Sequence, residues 1–421
     1  MPAAGLVVSV LPVEAAASRA SASARSSIVV VRNDADPEAV ARSVAARPRH
    51  SYTSALRGFA AGLTGSQRRK LEVDRRVLSV TDDRVTQRQV QQSAAMAVGL
   101  SAQLVPFGVR RVGALHSPTA KIDGEDDLID VDVAVLDSGV SRHPDLHRAG
   151  GVDCTSQGGF DDEDGHGTVV AGIIGASDNG LGVVGVAPGA RIWAVRVMNA
   201  AGKVTDSDYL CGLDWLHRHA AEIEVANLSF GGSGVDSGSC GLTDGVVVDP
   251  FHLGICQVVD AGVVVVAPAM NDSVDAGGGT PAAYPEVITV SAFTDTDGTP
   301  GGFGPPAGCT DQPSRDDTFA DFSNFGAAVD ISAPGVCVIS TFPDAARSRR
   351  RTCGRHGCYA RKTGTSFAAP HVAGAAALLM ARHPDWTPTQ VHQHLVETSE
   401  PGPVPGDPDS FPEGVLNVRG Y

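Results

Sequence analysis

Two kinds of segment alternate through the middle of the chain, and this alternation limits the possible fold most strongly. Strand-like apolar runs are separated by helix-like stretches after residue 166 and near residues 209–219 and 252–260. The strand-like runs are VDVAVLD (131–137), RIWAVRV (191–197), EVANLSF (224–230), GVVVVAP (262–268) and EVITVSA (286–292). The pattern predicts an α/β fold with a mostly parallel sheet and helices on both faces. Functional side chains are then expected at the carboxyl ends of the strands.

Residues 27–89 show a different pattern. They read in order as strand, helix, strand, strand, helix and strand, which predicts a small α+β domain of the ferredoxin-like type. Residues 1–89 carry 14 Lys and Arg against 8 Asp and Glu, whereas residues 90–421 carry 19 against 40. The opposite charges of the two units suit docking of one on the other. An independent small binding domain is the alternative.

Charge and hydropathy argue against two classes of partner. The formal net charge of −15 disfavours nucleic acid and anionic membrane surfaces, which bind clustered Lys and Arg. The apolar segment 367–381 is the nearest in length to a membrane span, and it contains Pro370 and His371. We therefore expect neither nucleic acid nor a membrane as a partner.

The N-terminus and the cysteines point to export. Residues 1–26 contain a short apolar run followed by Ala and Ser, which favours a secretory leader, with a disordered tail as the alternative. All eight cysteines lie between Cys154 and Cys358. An even number of cysteines in an exported chain favours disulfides, although buried thiols are the ordinary alternative. We expect a secreted protein.

Three polar residues lie in Gly-rich turns beside predicted strands or helices. Asp137 ends the strand 131–137, where a turn or capping role is the ordinary one. His166 lies between two glycines, which predicts an exposed ring and close backbone approach. Ser366 precedes an apolar helix, where it would ordinarily be the N-cap, but the helix dipole there also suits a nucleophile. Together, the order Asp, His, Ser is one of the known arrangements of a catalytic triad.

Motifs around these residues resemble those of a known family. The segments VAVLDSGV, DGHGTVVAGIIG and GTSFAAPHVAG closely resemble the three signature segments of subtilisin-like serine peptidases, the subtilases. SFGG, SNFG and APG occur in the expected order between them, and the resemblance covers about residues 101–400. It implies that Ser366 attacks the scissile carbonyl, that His166 transfers the proton, and that Asp137 orients the imidazole.

The resemblance also assigns an oxyanion hole, with two departures close by. Asn271 falls where the family has its oxyanion-hole asparagine, which would act with the backbone N–H of Ser366. The family usually has Ala-Gly before this asparagine, and here the pair is Ala269-Met270, preceded by an unusual Pro268; Phe367 stands where Met is common. A methionine at position 270 can crowd the specificity pocket, so substrate preference stays open. A catalytically silent subtilase fold that acts as a binding protein is the alternative.

An esterase is the other alternative, but it would need a G-x-S-x-G motif, and this chain has Gly-Thr-Ser-Phe-Ala.

In the subtilases an extended peptide pairs with enzyme backbone, which implies polypeptide substrates and broad specificity. The resemblance places Ser229, Phe230 and Gly231 on the binding strand and Gly279 at the floor of the primary pocket.

A structural calcium ion is the one cofactor that the resemblance implies, and no catalytic metal or organic cofactor is expected. The loop SDNGLGV (177–183) looks like the calcium loop of true subtilisins. Calcium binds six to eight oxygen ligands. The implied ligands are the side chains of Gln103, Asp145 and Asn179 and the carbonyls of Ser177, Leu181 and Val183. A plain Asn-Gly turn is the alternative.

The resemblance also implies a role for residues 27–89, the small basic domain. The segments IVVVRND and SALRGFAAGLT resemble the inhibitor propeptide of the family, which docks on the enzyme and is removed by self-cleavage. The cut would fall within about ten residues of Gln89, which leaves a catalytic domain over 90–400 and a Pro-rich tail over 401–421. We expect a monomeric zymogen, with a retained regulatory domain as the alternative.

The positions of the cysteines in loops around the catalytic domain suggest three of the four pairs. Cys154 and Cys211 have no clear place in this scheme. The suggested pairs are Cys240 with Cys256, Cys309 with Cys337, and Cys353 with Cys358.

Overall fold

The computed structural model describes residues 24–87, 102–243, 246–309, 314–344, 352–354 and 357–421. Residues 1–23 of the predicted leader and Gln89 at the predicted cut lie outside the described residues. The predicted leader boundary at residue 26 is two residues too late, because Arg25 and Ser26 belong to the first strand of the N-terminal domain. The described residues form two units, a small N-terminal domain and a large domain that holds the three signature segments.

The N-terminal domain has the predicted order of elements. They are β1 (Arg25–Val31), α1 (Pro37–Ser43), β2 (Pro48–Tyr52), β3 (Gly58–Leu63), α2 (Gly65–Glu72), β4 (Val77–Asp82) and β5 (Val85–Gln87). Four strands form an antiparallel sheet in the order β2-β3-β1-β4. Asp36 caps α1 by accepting a hydrogen bond from the N–H of Glu38 at 3.0 Å, and Thr64 and Gln67 form a capping box on α2.

The small sheet buries both of its faces. Because side chains alternate along a strand, Val29 and Val31 of β1 point to one face and Ile28 and Val30 to the other. The first face packs in one apolar cluster with residues of α1 and α2. The second face is part of a cluster that includes Leu213 and other residues of the large domain. The N-terminal domain therefore completes its core only by docking.

The large domain contains the remaining elements. Its helices are α3 (Phe107–Arg111), α4 (His166–Gly175), α5 (Asp206–Arg218), α6 (Pro250–Asp260), α7 (Thr365–Arg382) and α8 (Pro388–Glu397). Its central strands are β6 (Asp132–Asp137), β7 (Arg148–Asp153), β8 (Arg191–Arg196), β10 (Val225–Leu228), β14 (Val264–Pro268), β16 (Ile288–Thr294), β17 (Thr318–Phe319), β18 (Ile331–Pro334) and β22 (Gly414–Val415). Its short outer strands are β9 (Lys203–Thr205), β11 (Gly232–Ser233), β12 (Leu242–Thr243), β13 (Val246–Val247), β15 (Gly279–Thr280), β19 (Val338–Phe342), β20 (Thr352–Gly354) and β21 (Gly357–Lys362).

The central sheet confirms the predicted fold class. Its order is β22-β18-β16-β14-β10-β6-β8-β7, all parallel, and β17 pairs antiparallel with the end of β16. Along β6, Val133 and Val135 belong to a cluster with α4 and α7, whereas Ala134 and Leu136 belong to one with α5 and α6. Helices therefore cover both faces, and β6 is buried at every residue.

The longest helix, α7, runs through the core and carries an internal proline. Nearly all of its residues are buried, Pro370 included. Among the helices of the described ranges, none combines the length and apolar character needed to cross a bilayer.

The last residues of the chain reach the central sheet. Residues 401–421, predicted as a tail from their proline content, include β22, which pairs with β18. Leu416, Val418 and Tyr421 are buried in the main core. This segment therefore packs as part of the large domain.

Four disulfides join cysteines of the large domain. The three suggested pairs, Cys240–Cys256, Cys309–Cys337 and Cys353–Cys358, are present. The fourth disulfide, Cys154–Cys211, joins the residue after β7 to α5.

Candidate active site

Asp137 lies at the carboxyl end of β6 and is fully buried. Its carboxylate accepts hydrogen bonds from the backbone N–H of Ser138 at 2.6 Å and from the Ser138 hydroxyl at 3.1 Å. Both carboxylate oxygens lie 2.9 Å from Nδ1 of His166. A buried carboxylate facing one ring nitrogen fixes the tautomer and leaves Nε2 of His166 free to exchange a proton.

His166 is the first residue of α4, and the two residues beside it must be glycines because a side chain at either position would clash with its surroundings. An added Cβ at Gly167 would lie 2.1 Å from the carbonyl oxygen of Gly139, and one at Gly165 would lie 2.3 Å from the Phe342 ring. The prediction of close backbone approach is thus confirmed. The prediction of an exposed ring is wrong, because the ring packs between those of Phe230 and Phe367, each with its centroid 5.0 Å away.

Ser366 lies in the first turn of α7, and the N-cap of that helix is Gly364 rather than the serine. The hydroxyl of Ser366 donates to the carbonyl of Ser229 at 3.0 Å, and the hydroxyl of Ser229 donates back to the carbonyl of Ser366 at 3.2 Å. This carbonyl lacks its helical partner because Pro370, four residues on, has no N–H. The proline therefore frees a carbonyl that ties the serine to the end of β10.

The structure also sets the orientation of the Asn271 amide. Its Oδ1 accepts hydrogen bonds from the backbone N–H of Thr365 at 2.8 Å and from the Thr365 hydroxyl at 3.0 Å. Because a backbone N–H can only donate, the oxygen must face Thr365 and the Nδ2 donor must point elsewhere. Asn271 and Ser366 line the same cleft. The amide is thus held with its oxygen on Thr365 and its Nδ2 donor directed away from that residue.

One supporting residue is missing from the sequence predictions. Asp162, four residues before His166, is buried and accepts hydrogen bonds from Ser138, Gly165 and Thr168. Burial raises the pKa of Asp162, against the hydrogen bonds that lower it. Its carboxylate thus joins the turn after Asp137 to the start of α4. The sequence feature that could have predicted this role is an acidic residue just before a helix, where a carboxylate commonly binds backbone N–H groups.

The residues predicted to bind substrate line one cleft of about 540 Å³ that contains Ser366. Ser229, Phe230 and Gly231 form one side, and Gly279 in β15 forms the other, where it pairs with Ser233 of β11. Met270 lies between the two sides in a left-handed conformation, with φ of 85°.

The end of the N-terminal domain forms part of the wall of this cleft through Arg84, Val85 and Thr86. Strand β5 pairs antiparallel with β9 of the large domain, Thr86 opposite Val204. On its other side, the Thr86 hydroxyl lies 2.4 Å from where a Cβ of Gly232 would be. Thr86 therefore lies close against Gly232, and the extended segment runs between two enzyme segments as a peptide substrate would.

Helix α5 holds the rest of the N-terminal domain through its acidic residues. Oδ1 of Asp214 accepts hydrogen bonds from the backbone N–H groups of Thr53, Ser54 and Ala55 at 3.0, 2.6 and 3.1 Å. His50 Nε2 lies 2.9 Å from a carboxylate oxygen of Asp208. In the same region the Arg84 guanidinium pairs with Asp206 at 2.6 Å, and burial raises the pKa of Asp206 to about 6 despite this pair. The basic domain thus meets acidic residues, as its charge predicts.

The six predicted calcium ligands lie in segments that meet. Backbone hydrogen bonds join Gln103 to Gly180 and Leu104 to Gly182, so the loop 177–183 lies against the start of the large domain. Asp145 accepts a hydrogen bond from the Val183 N–H at 3.1 Å, and Asn179 Nδ2 donates to it at 3.4 Å. The predicted ligand residues are Gln103, Asp145, Ser177, Asn179, Leu181 and Val183.

Gly182 is the last residue but one of this loop. A Cβ there would lie 2.0 Å from both the Asp145 carboxylate and the Tyr359 hydroxyl, and its φ is 58°. Burial raises the pKa of Asp145. The contacts of the Asp145 carboxylate in this structure are with donors, namely the Val183 N–H, Nδ2 of Asn179 and the Tyr359 hydroxyl.

Comparisons with known proteins agree with this geometry. The subtilase family model matches residues 129–421, and the peptidase inhibitor I9 model matches residues 12–89. The chain therefore belongs to the subtilase family. It is a subtilisin-like serine endopeptidase with an N-terminal inhibitor-type propeptide domain.

Among similar proteins are three bacterial peptidases. Subtilisin Savinase of Lederbergia lenta is 37% identical over 322 residues, which cover 76% of this chain and 98% of that protein. The alkaline protease of Alkalihalobacillus alcalophilus is 37% identical over 322 residues, with coverages of 76% and 70%. Subtilisin E of Bacillus subtilis (strain 168) is 34% identical over 324 residues, with coverages of 76% and 71%.

Proposed function

We propose that this endopeptidase hydrolyses peptide bonds through Asp137, His166 and Ser366. The Ser366 hydroxyl attacks the scissile carbonyl while Nε2 of His166 takes its proton. The resulting oxyanion is stabilised by the Asn271 amide and by the backbone N–H of Ser366. The imidazolium, stabilised by Asp137, then gives its proton to the leaving amine, and water hydrolyses the acyl-enzyme by the same path.

One observation carries this proposal: the extended strand β5, paired with β9, contributes Val85 and Thr86 to the wall of the cleft that Ser366 also lines. A peptide in β-pairing with the enzyme is the form in which a substrate would bind. It also supports the zymogen reading, since the propeptide blocks the cleft until it is cut. The four disulfides support a secreted enzyme, because such bonds persist in oxidising compartments.

Labelling with a fluorophosphonate separates the enzyme from a catalytically silent binding protein. The processed protein should take one label on Ser366, detected by mass spectrometry of the labelled peptide. Ser366→Ala is the matched control and should take none. A processed wild-type protein that takes no label would show that the triad is inactive.

We also propose that Met270 narrows the pocket for the side chain before the scissile bond. Its Sδ lies 2.4 Å from the position of a Cβ on Gly231, and its Cγ lies 3.8 Å from that on Gly279. The thioether thus spans the space between the two walls that the family resemblance assigns to this pocket. Asn324 holds the backbone in place by donating its N–H to the Met270 carbonyl at 2.9 Å. Backbone pairing keeps specificity broad elsewhere along the substrate.

Peptides that differ only in the residue before the cut test this specificity. The wild-type enzyme should prefer Ala over Phe, and Met270→Gly should raise kcat/KM for the Phe peptide relative to the Ala peptide by about 10–100-fold. Val248→Gly removes an exposed apolar side chain outside the cleft and should leave the ratio unchanged. An unchanged ratio in Met270→Gly would show that the methionine does not limit the pocket.

Calcium is the proposed structural ion of the 177–183 loop. Gln103, Asp145 and Asn179 would hold it through side-chain oxygens, with carbonyls of Ser177, Leu181 and Val183. The ion would compensate the buried charge of Asp145 and fix the loop. Gly182→Ala introduces a Cβ against this carboxylate and should abolish the rise in unfolding temperature that calcium gives the parent. A calcium effect equal to that of the parent would contradict the site.

A further inference from the structure

A second cluster of carboxylates lies away from the active site, where the chain leaves and returns to the central sheet. Asp295 directly follows β16, and Asp297 lies two residues on. Asp316 lies two residues before β17, which pairs antiparallel with the end of β16 through Phe293 and Phe319. This pairing brings the two ends of the intervening loop together, so the three carboxylates meet at its base.

The three carboxylates are close enough to share one ion. One carboxylate oxygen from each of Asp295, Asp297 and Asp316 lies within 4.8 Å of the others. Asp295 and Asp316 are both 4% exposed. Charges of one sign at this spacing and depth are unfavourable unless a cation or a proton compensates them.

The hydrogen bonds of the cluster leave one buried atom unpaired. Asp316 accepts from the Thr296 N–H at 2.8 Å and from the Gly304 N–H at 2.8 Å, so it closes the loop. Asp295 accepts from the Gly298 N–H through Oδ1 at 3.0 Å. Its Oδ2 is buried and has no hydrogen-bond partner among the described residues. A buried carboxylate oxygen without a donor is the atom that a bound cation would contact.

Arg111, a cation that acts on the charge of Asp295, has two other carboxylate partners. Arg111 donates to Asp317 at 2.9 Å and to Glu400 at 3.0 Å. Asp317, beside Asp316, also accepts hydrogen bonds from the N–H groups of Gly301 and Gly302. Arg111 is thus shared with two carboxylates of its own, and its charge lowers the pKa of Asp295 by less than burial and the charges of Asp316 and Asp317 raise it.

We propose that Asp295, Asp297 and Asp316 bind a divalent cation of the calcium type. Hard carboxylate oxygens on a Gly-rich loop suit calcium, which takes irregular sets of six to eight oxygens and accepts water among them. A cavity of about 140 Å³ beside Asp295 and Thr296 leaves room for such waters. The ion would hold both ends of loop 295–317 to the sheet.

A shared proton is the competing way to hold the cluster. Burial, with the nearby charge of Asp316, raises the pKa of Asp295 to about 7. A neutral Asp295 would need no cation. Replacement of Asp295 by Asn separates the two states, since the amide resembles the protonated acid but cannot hold a cation as a carboxylate does.

Calcium stoichiometry provides the test. Full-length chains in the Ser366→Ala background, which avoids self-digestion, are dialysed against calcium chloride, and bound calcium is measured by mass spectrometry. Asp295→Asn and Asp297→Asn should each lower the stoichiometry by one ion or weaken that ion by at least about 10-fold. Asp126→Asn, at an exposed site, should bind as the parent does.

Two further results decide between the alternatives. A chain with Asp145→Asn, which lacks the carboxylate of the other candidate site, should still bind an ion that Asp297→Asn removes. Because Asp297 is only half-buried, this variant is expected to fold even where Asp295→Asn does not. The proposal would be overturned in favour of a shared proton if Asp297→Asn bound as much calcium as the parent. It would also be overturned if Asp295→Asn bound as much calcium as the parent and unfolded at a higher temperature.

Discussion

Removal of the Asp214 carboxylate should release the propeptide. Its Oδ1 accepts three backbone N–H groups, from Thr53, Ser54 and Ala55, and its side chain is only 3% exposed in the complex. A hydrogen bond to a charged group contributes about 1.5–3 kcal/mol net. The free energies of three hydrogen bonds to one oxygen are not additive, so we take their combined contribution to propeptide binding as about 3–4 kcal/mol. This corresponds to an inhibition constant raised by about 10²–10³-fold.

The assay is inhibition of the processed enzyme by added propeptide, with a peptide substrate as the reporter. Asp214→Ala should show the whole increase of about 10²–10³-fold in the inhibition constant. Asp214→Asn keeps an acceptor oxygen without the charge and should fall between Asp214→Ala and the parent. Asp260→Asn, an exposed residue at the end of α6, is the charge-matched control and should inhibit like the parent. An unchanged inhibition constant in Asp214→Ala would refute the reasoning.

Three further changes test other parts of the account. Asn271→Leu removes one oxyanion donor and should lower kcat by about 10²–10³-fold with little change in KM, measured by steady-state kinetics. Burial lowers the pKa of His392, but its hydrogen bond to Asp330 outweighs this and raises it. The pair should therefore make its full contribution to the stability of the folded protein below about pH 6.5, the pKa of an unperturbed histidine. This contribution should be lost as the pH rises through the raised pKa of the folded state. His392→Gln should remove this pH dependence of the unfolding temperature. Loss of Cys154–Cys211, which links residues 57 apart, should lower the free energy of unfolding by about 4 kcal/mol in urea titrations.

Local sequence was enough to predict five strands of the central sheet, the order of elements in the N-terminal domain and the order of the three signature residues. The run 131–137 is apolar throughout because β6 is buried on both faces, and this property is visible in the sequence. The glycines beside His166 likewise signalled a close backbone approach, which Gly167 makes to Gly139. Such features depend on neighbours within a few residues.

Features that depend on distant residues were not predictable. His166 is buried because the rings of Phe230 and Phe367 cover it, and they come from other segments of the chain. The cap of α7 falls on Gly364, two residues before Ser366. Residues 401–421 are rich in proline, which disguised the short strand β22. In each case a tertiary contact outweighed the local pattern.

The most direct measurement of the central claim is the N-terminus of the mature protein, determined by mass spectrometry. If the chain is a zymogen that cuts itself, the wild-type protein should lose its propeptide within about ten residues of Gln89, and purified Ser366→Ala should remain full length. Purified Ser366→Ala that is cut at the same place would contradict self-processing by this site. So would a wild-type chain that keeps its propeptide and still cleaves peptides.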